Sequence, residues 1–178
     1  MTPQTHFILV FTLFFLFLNV FSSRIVSVDQ QIVAKVCSGT AIKDSAGCLK
    51  TLSSPQATAA KNIKQLVQVV MTEGATRAQK TLTFIEEMTN KENPPTTIKA
   101  LKTCSEVYRH CIEDFKLAAP ELSKDVTSAN YDVSLIGPEV DKCAEPMEAA
   151  SLNVPELVQG NHDLRYYASL GYGMTVKL

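Results

Sequence analysis

Past residue 24 the apolar residues recur at spacings of three and four, and the β-branched residues are scattered instead of alternating over four to eight positions. That period puts an apolar stripe along each of several helices and gives no segment the period-two pattern of a strand. The clearest stripe runs from about Pro55 to Lys91 through Ile63, Leu66, Val67, Val70, Ala78, Leu82, Ile85 and Met88. Asn93-Pro94-Pro95 ends it, because consecutive prolines lack amide donors and restrict the residue before them. A second helix is expected from about Thr96 to Ala119, with Ile98, Leu101, Cys104, Tyr108, Cys111, Ile112 and Phe115 inward and Pro120 closing it.

A third stripe extends from about Leu122 to Ala150 through Val126, Ala129, Val133, Ile136, Val140, Cys143 and Met147. Gly137-Pro138 interrupts it and predicts a kink or a break, since proline removes a donor and crowds the preceding turn. The last helix is expected to start after a Gly160-Asn161 turn and to reach about Val176, burying Leu164, Tyr167, Leu170 and Met174. Two shorter helices, about Gln30–Cys37 and Ala41–Leu52, precede these four around a turn containing Gly39. Four long amphipathic helices with short connections give an all-α, antiparallel four-helix bundle, and the short pair reads as an N-terminal helical hairpin extending from it.

The chain opens differently. Phe7 to Phe21 form an apolar run of 15 residues, followed by Ser22 and Ser23, and the first full charge is Arg24. The run is short for a membrane span and ends in small residues, so 1–23 read as a signal peptide and 24–178 as one domain, with 24–53 the hairpin and 54–178 the bundle. An uncleaved anchor is the alternative, because the segment before the run carries His6 but no Lys or Arg. The domain carries all 17 basic and 18 acidic residues, a balance that suggests neither a nucleic-acid footprint nor stable membrane association after cleavage. No Asn-x-Ser/Thr sequon and no C-terminal retention signal is present, so secretion is expected.

A secreted chain permits disulfides, and its five cysteines leave one thiol over. Cys104 and Cys111 lie seven apart in one helix, so their Cα atoms would stand about 10.5 Å apart, beyond the reach of a disulfide. Cys37 and Cys48 flank the hairpin turn and suit a local bridge. Cys143 is then left with either Cys104 or Cys111. Metal is not expected: no Cys-x-x-Cys pair occurs, and His110 lacks zinc-ligand spacing to Cys104 and Cys111.

Other chemistry does not converge. Glu106, Arg109, His110, Glu113 and Asp114 read as a solvated helix face, with His110 and Asp114 able to touch at i,i+4. His162 beside Asp163 reads as helix-start chemistry, and Gly171-Tyr172-Gly173 as close packing or fraying of the last helix. Of Tyr166 and Tyr167, one ring is expected in the core and the other at the surface. No hydrolase, metalloprotease or phosphate-loop motif occurs, so no catalytic residue and no cofactor are expected.

The cysteine order and the segment Leu101-Lys-Thr-Cys104-Ser-Glu106-Val-Tyr108 resemble the plant invertase and pectin methylesterase inhibitor family, whose L-x-x-C-x-E-x-Y signature LKTCSEVY completes. The stretch from Ser128 to Cys143 resembles the approach to that family's fourth cysteine. The resemblance covers essentially all of 24–178 and implies bridges Cys37–Cys48 and Cys104–Cys143, with Cys111 a free thiol where relatives commonly carry a small residue. It implies an inhibitor in the apoplast or cell wall, or the vacuole, that occludes the substrate cleft of pectin methylesterase or acid invertase. Two departures bear on the target. Ser134-Leu135-Ile136 stands where many members carry Ser-Ala-Ala, and the loop region AAPELSKDVTSA lacks the Pro-Lys-Phe motif of invertase-directed members. The balance tips to pectin methylesterase. A helical ligand or small-molecule carrier is the rival of another class, but a carrier needs a hollow interior and these stripes predict a filled one. Partner contacts are unassigned by sequence; polar positions such as Lys64, Thr72, Arg77 and Lys80 are candidates.

Overall fold

The computed structural model describes residues 30–39 and 44–178. The expected signal peptide at 1–23 and the start of the second hairpin helix at Ala41 lie outside the described residues. Within them seven helices follow one another: α1 Gln30–Cys37, α2 Ser45–Leu52, α3 Pro55–Thr58, α4 Ile63–Thr89, α5 Pro95–Glu121, α6 Val126–Ala149 and α7 Pro155–Thr175. The four long ones pack in chain order as a ring, α4 on α5, α5 on α6, α6 on α7 and α7 back on α4. They run antiparallel. Gln68, early in α4, bonds the carbonyl of Ala119 at the end of α5, and Asn130, early in α6, bonds Thr175 at the end of α7.

Local chemistry sets most boundaries. The Asn62 side chain accepts from the Gln65 amide at 2.9 Å, so a new helix starts at Ile63 and the long Pro55–Lys91 stripe divides into α3 and α4. Asp125 accepts from the amides of Thr127 and Ser128, which starts α6 at Val126, four residues later than the stripe suggests. α5 and α7 each begin with a proline in the first turn, where its missing donor costs nothing. At the end of α6 the Leu152 amide bonds the Met147 carbonyl and the Ser151 amide bonds Glu148, with Ser151 at φ 51°. This left-handed closure turns the chain into α7 without a glycine.

Proline does not end a helix at either Pro120 or Pro138, where the sequence suggests an end or a break. Pro120 does not close α5, which runs on to Glu121, and neither Pro138 nor Pro146 breaks α6. Each proline deprives the carbonyl four residues earlier of its partner. Those carbonyls belong to Lys116, Ser134 and Lys142, all on the exposed face, where water can take the bond. The Gly160-Asn161 pair is also not a turn: both residues are buried inside α7. A Cβ on Gly160 would stand 2.5 Å from Thr81 Cγ2 and 2.5 Å from the Tyr108 hydroxyl, so the glycine allows α7 to approach α4 and α5. His162 therefore sits mid-helix, and its reading as helix-start chemistry is overturned.

The core is continuous through the ring and filled. Tyr108, Phe115, Leu66, Met71, Ile85, Leu101, Ile136 and Leu170 are among its fully buried side chains. Nearly every residue of the four stripes is buried; Ile63, Ile98, Val126 and Met88, at helix ends, are half-buried. Of the tyrosine pair, Tyr167 is in the core and Tyr166 half-buried. Gly171 marks close packing, a Cβ there lying 3.1 Å from Val133 Cγ1.

Candidate functional site

Cys37 is bonded to Cys48 with Cα atoms 5.5 Å apart, clasping α1 to α2. Cys104 is bonded to Cys143 with Cα atoms 4.5 Å apart, tying α5 to α6 across the ring. Cys111 is free and buried about two turns along α5 from Cys104, and burial pushes its thiol up to about 12. The thiolate is the reactive form, so the thiol is chemically quiet at physiological pH. Beside it, the buried Tyr108 hydroxyl donates to Asn161 Oδ1 at 3.0 Å, and burial raises its pKa. Both ends of the family signature segment are thus core chemistry: Leu101 and Tyr108 are fully buried, and Cys104 is bridged.

The charged face of α5 splits in two. Arg109 reaches across to Glu86 on α4 at 2.8 Å, an exposed pair of small energetic weight. Asp114 instead faces α6, where burial first, then the charges of Asp132 and Glu139, push its carboxyl up to about 6, while His110 pulls it down. The folded value exceeds the unfolded 3.8, so the folded state binds more protons in between. Stability is accordingly expected to fall as pH rises from about 4 to about 6. Asp114→Asn should stabilise the protein above that window by less than about 1 kcal/mol, because the site is partly solvated. Urea denaturation of both proteins at each end of the window checks this; an equal difference at both ends would refute it.

The four candidate contact residues lie on α4 but do not converge. Lys64 is exposed at the first turn, and Thr72 lines a groove against α5 with Thr76 and Lys116. Arg77 and Lys80 lie on the opposite flank, lining a groove of about 520 Å³ against α7. Arg77 is the centre of that flank. Its Nε bonds Glu73 at 3.0 Å, Nη1 lies 3.5 Å from Asp163, and the guanidinium sits 5.4 Å over the ring of Tyr167. A second cleft, of about 480 Å³, opens from the same Arg77 toward the hairpin. There Thr51 on α2 shares a hydrogen bond of 2.8 Å with the Tyr166 hydroxyl, which anchors the hairpin to α7.

Thr51 and Glu73 are not singled out by sequence reading, and Asn161 and Asp163 are read there as turn and helix-start residues instead of site residues. The i,i+4 pairs Glu73/Arg77, Gln159/Asp163 and His162/Tyr166 were visible signals; the Thr51 contact spans 115 residues and had none. Among the described residues no group of three or more His, Cys, Asp or Glu side chains could hold a metal ion, and no helix is long and apolar enough to cross a membrane.

The four long helices form a ring stapled by a disulfide, with an apolar core and polar groups on its outer faces and grooves. The chain belongs to the plant invertase/pectin methylesterase inhibitor family, whose family model matches residues 31–169. A pectinesterase inhibitor from Actinidia deliciosa is 28% identical over 142 residues, covering 79% of this chain and 75% of that protein. Two solved structures share the fold at 19% identity. A mutant form of a pectin methylesterase inhibitor from Arabidopsis has a TM-score of 0.73, covering 82% of this chain and 96% of that one. A pectin methylesterase inhibitor from Arabidopsis thaliana has a TM-score of 0.63, with 84% and 97% covered.

Proposed function

We propose that this chain is a secreted, non-catalytic inhibitor of pectin methylesterase, acting in the cell wall by covering the enzyme's substrate cleft. The family match over 31–169 carries the reading, and the Actinidia pectinesterase inhibitor, alignable over most of the chain, points to the target. The interior is consistent with it, since the four long helices close on fully buried apolar side chains such as Leu66, Phe115, Ile136 and Leu170. A rigid helical face suits occlusion: little conformational freedom is lost on docking, and an interface of about 1,600 Å² would cover a cleft mouth. On α4, Lys64, Thr72, Arg77 and Lys80 offer polar side chains for such a contact, Thr72 on the flank toward α5 and Arg77 with Lys80 on the flank toward α7.

Acid invertase is the second target. The absence of a Pro-Lys-Phe motif before α6 weighs against it. Purified 24–178 titrated into each enzyme decides between them. Dose-dependent loss of pectin methylesterase activity with invertase untouched is expected. Inhibition of invertase alone would reverse the target, and no inhibition or complex with either at about micromolar protein would end the inhibitor reading.

A further inference from the structure

The inhibitor reading offers Arg77 among its candidate contacts but gives the cleft between the hairpin and the α4–α7 seam no ligand of its own. We propose that this cleft is a binding subsite for a neutral pyranose glycan. A pyranose presents an apolar C–H face bordered by hydroxyls that both donate and accept, so its sites pair an aromatic face with fixed polar groups at the rim. The cleft has both. The rings of His162 and Tyr166 are parallel within 5°, with centroids 6.5 Å apart, so they offer faces of one orientation along α7. Tyr167 meets Tyr166 edge-on at 5.1 Å and holds it in place from the core.

The rim is held without being used up. Arg77 lies between Glu73 and Asp163 and over Tyr167, fixing both carboxylates while leaving them further lone pairs for sugar hydroxyls. Gln159 donates to the other oxygen of Asp163 at 2.7 Å, orienting it further. From the opposite wall, Thr51 and the Tyr166 hydroxyl form a linked pair able to donate and accept. At about 480 Å³ the cleft falls in the range of small-ligand sites, and the adjoining groove past Lys80 shares Arg77 and Asp163, which gives length for more than one sugar ring.

Charge selects among glycans. Asp44, Glu73 and Asp163 face the cleft against the two permanent cations Lys50 and Arg77. A uronate chain would bring like charge to a wall already in acidic excess, and the one central guanidinium is engaged by two carboxylates. A cationic ligand would find the Tyr167 face already taken by Arg77. A neutral chain meets neither obstacle.

The test uses purified 24–178 with no enzyme present, so it is separate from the inhibition assay. The chain has five tyrosines and no tryptophan, and two of the five, Tyr166 and Tyr167, line the cleft, so a ligand-induced change in tyrosine emission is the signal, with isothermal titration calorimetry as the readout for Tyr166→Ala. Titration with cellotetraose or maltotetraose should give a saturable change with a Kd of roughly 1 mM, and trigalacturonate should bind at least ~10-fold more weakly. Tyr166→Ala and the surface change Glu73→Gln should each weaken binding ~10-fold with the helical melt retained, whereas Tyr131→Ala, exposed on α6, should not. No saturable response to either neutral tetrasaccharide by about 10 mM, trigalacturonate binding as tightly, or folded Glu73→Gln binding undiminished would each overturn the proposal.

Discussion

Replacing Cys104 and Cys143 together by alanine is expected to destabilise the bundle by about 4 kcal/mol, through the loss of a loop closure spanning 39 residues. The double change is the informative one, since it leaves neither partner of the bridge as an unpaired thiol beside the free Cys111. For a domain of this size that is a fall in Tm of roughly 8–16 °C, read by thermal or urea denaturation. Cys37→Ala with Cys48→Ala should behave differently. That bridge closes a span of 11 residues within the hairpin, whose described tie to the ring includes the Thr51–Tyr166 hydrogen bond. Its loss should free α1 and α2 to exchange amide protons while the ring's melt moves little. Peptide mapping without reduction checks the premise. Recovery of a Cys111–Cys143 peptide would sink it, as would rapid alkylation of Cys111 in the native protein, because a thiol buried and held near 12 is closed to reagents.

The pairing illustrates which parts of the fold could be read in advance. Helix rise excludes Cys104–Cys111 from sequence alone, and the four stripes place Leu66, Tyr108, Ile136 and Leu170 in the core, because burial on one helix face is a local, periodic property. The errors at proline and glycine share one cause. Proline and glycine invite reading by their backbone preferences, yet Pro120 and Pro138, like Pro146, are tolerated where the orphaned carbonyls face water. Gly160 is in a helix because Thr81 and Tyr108 leave no room for a side chain. Both outcomes depend on what lies across the ring, which a single helix does not record. The cleft shows the same limit. Glu73 and Arg77 are a visible i,i+4 pair, but Thr51, Tyr166 and Asp163 join them only once the hairpin and α7 have docked.

Phe115→Ala is expected to be the most damaging single apolar change, costing about 3–5 kcal/mol. The ring is fully buried on α5, and its closest fit is to Gly74 on α4: a Cβ added there would lie 2.7 Å from Phe115 Cζ and 2.9 Å from Cε1. Truncation thus opens a void opposite a residue with no side chain to fill it, so little relaxation offsets the lost contacts. The converse change tests the fit from the other side. Gly74→Ala gains roughly 1 kcal/mol of helix propensity but drives a methyl into the buried Phe115 ring, an overpacking cost of about 1–3 kcal/mol. Combining Gly74→Ala with Phe115→Leu relieves that clash, so the double variant should be more stable than the two single losses add to, by roughly 1 kcal/mol or more. Urea denaturation at constant m reads all four corners of the cycle. Strict additivity would mean that Gly74 and Phe115 are not in contact, and a Phe115→Ala loss under about 1 kcal/mol would remove the ring from the core.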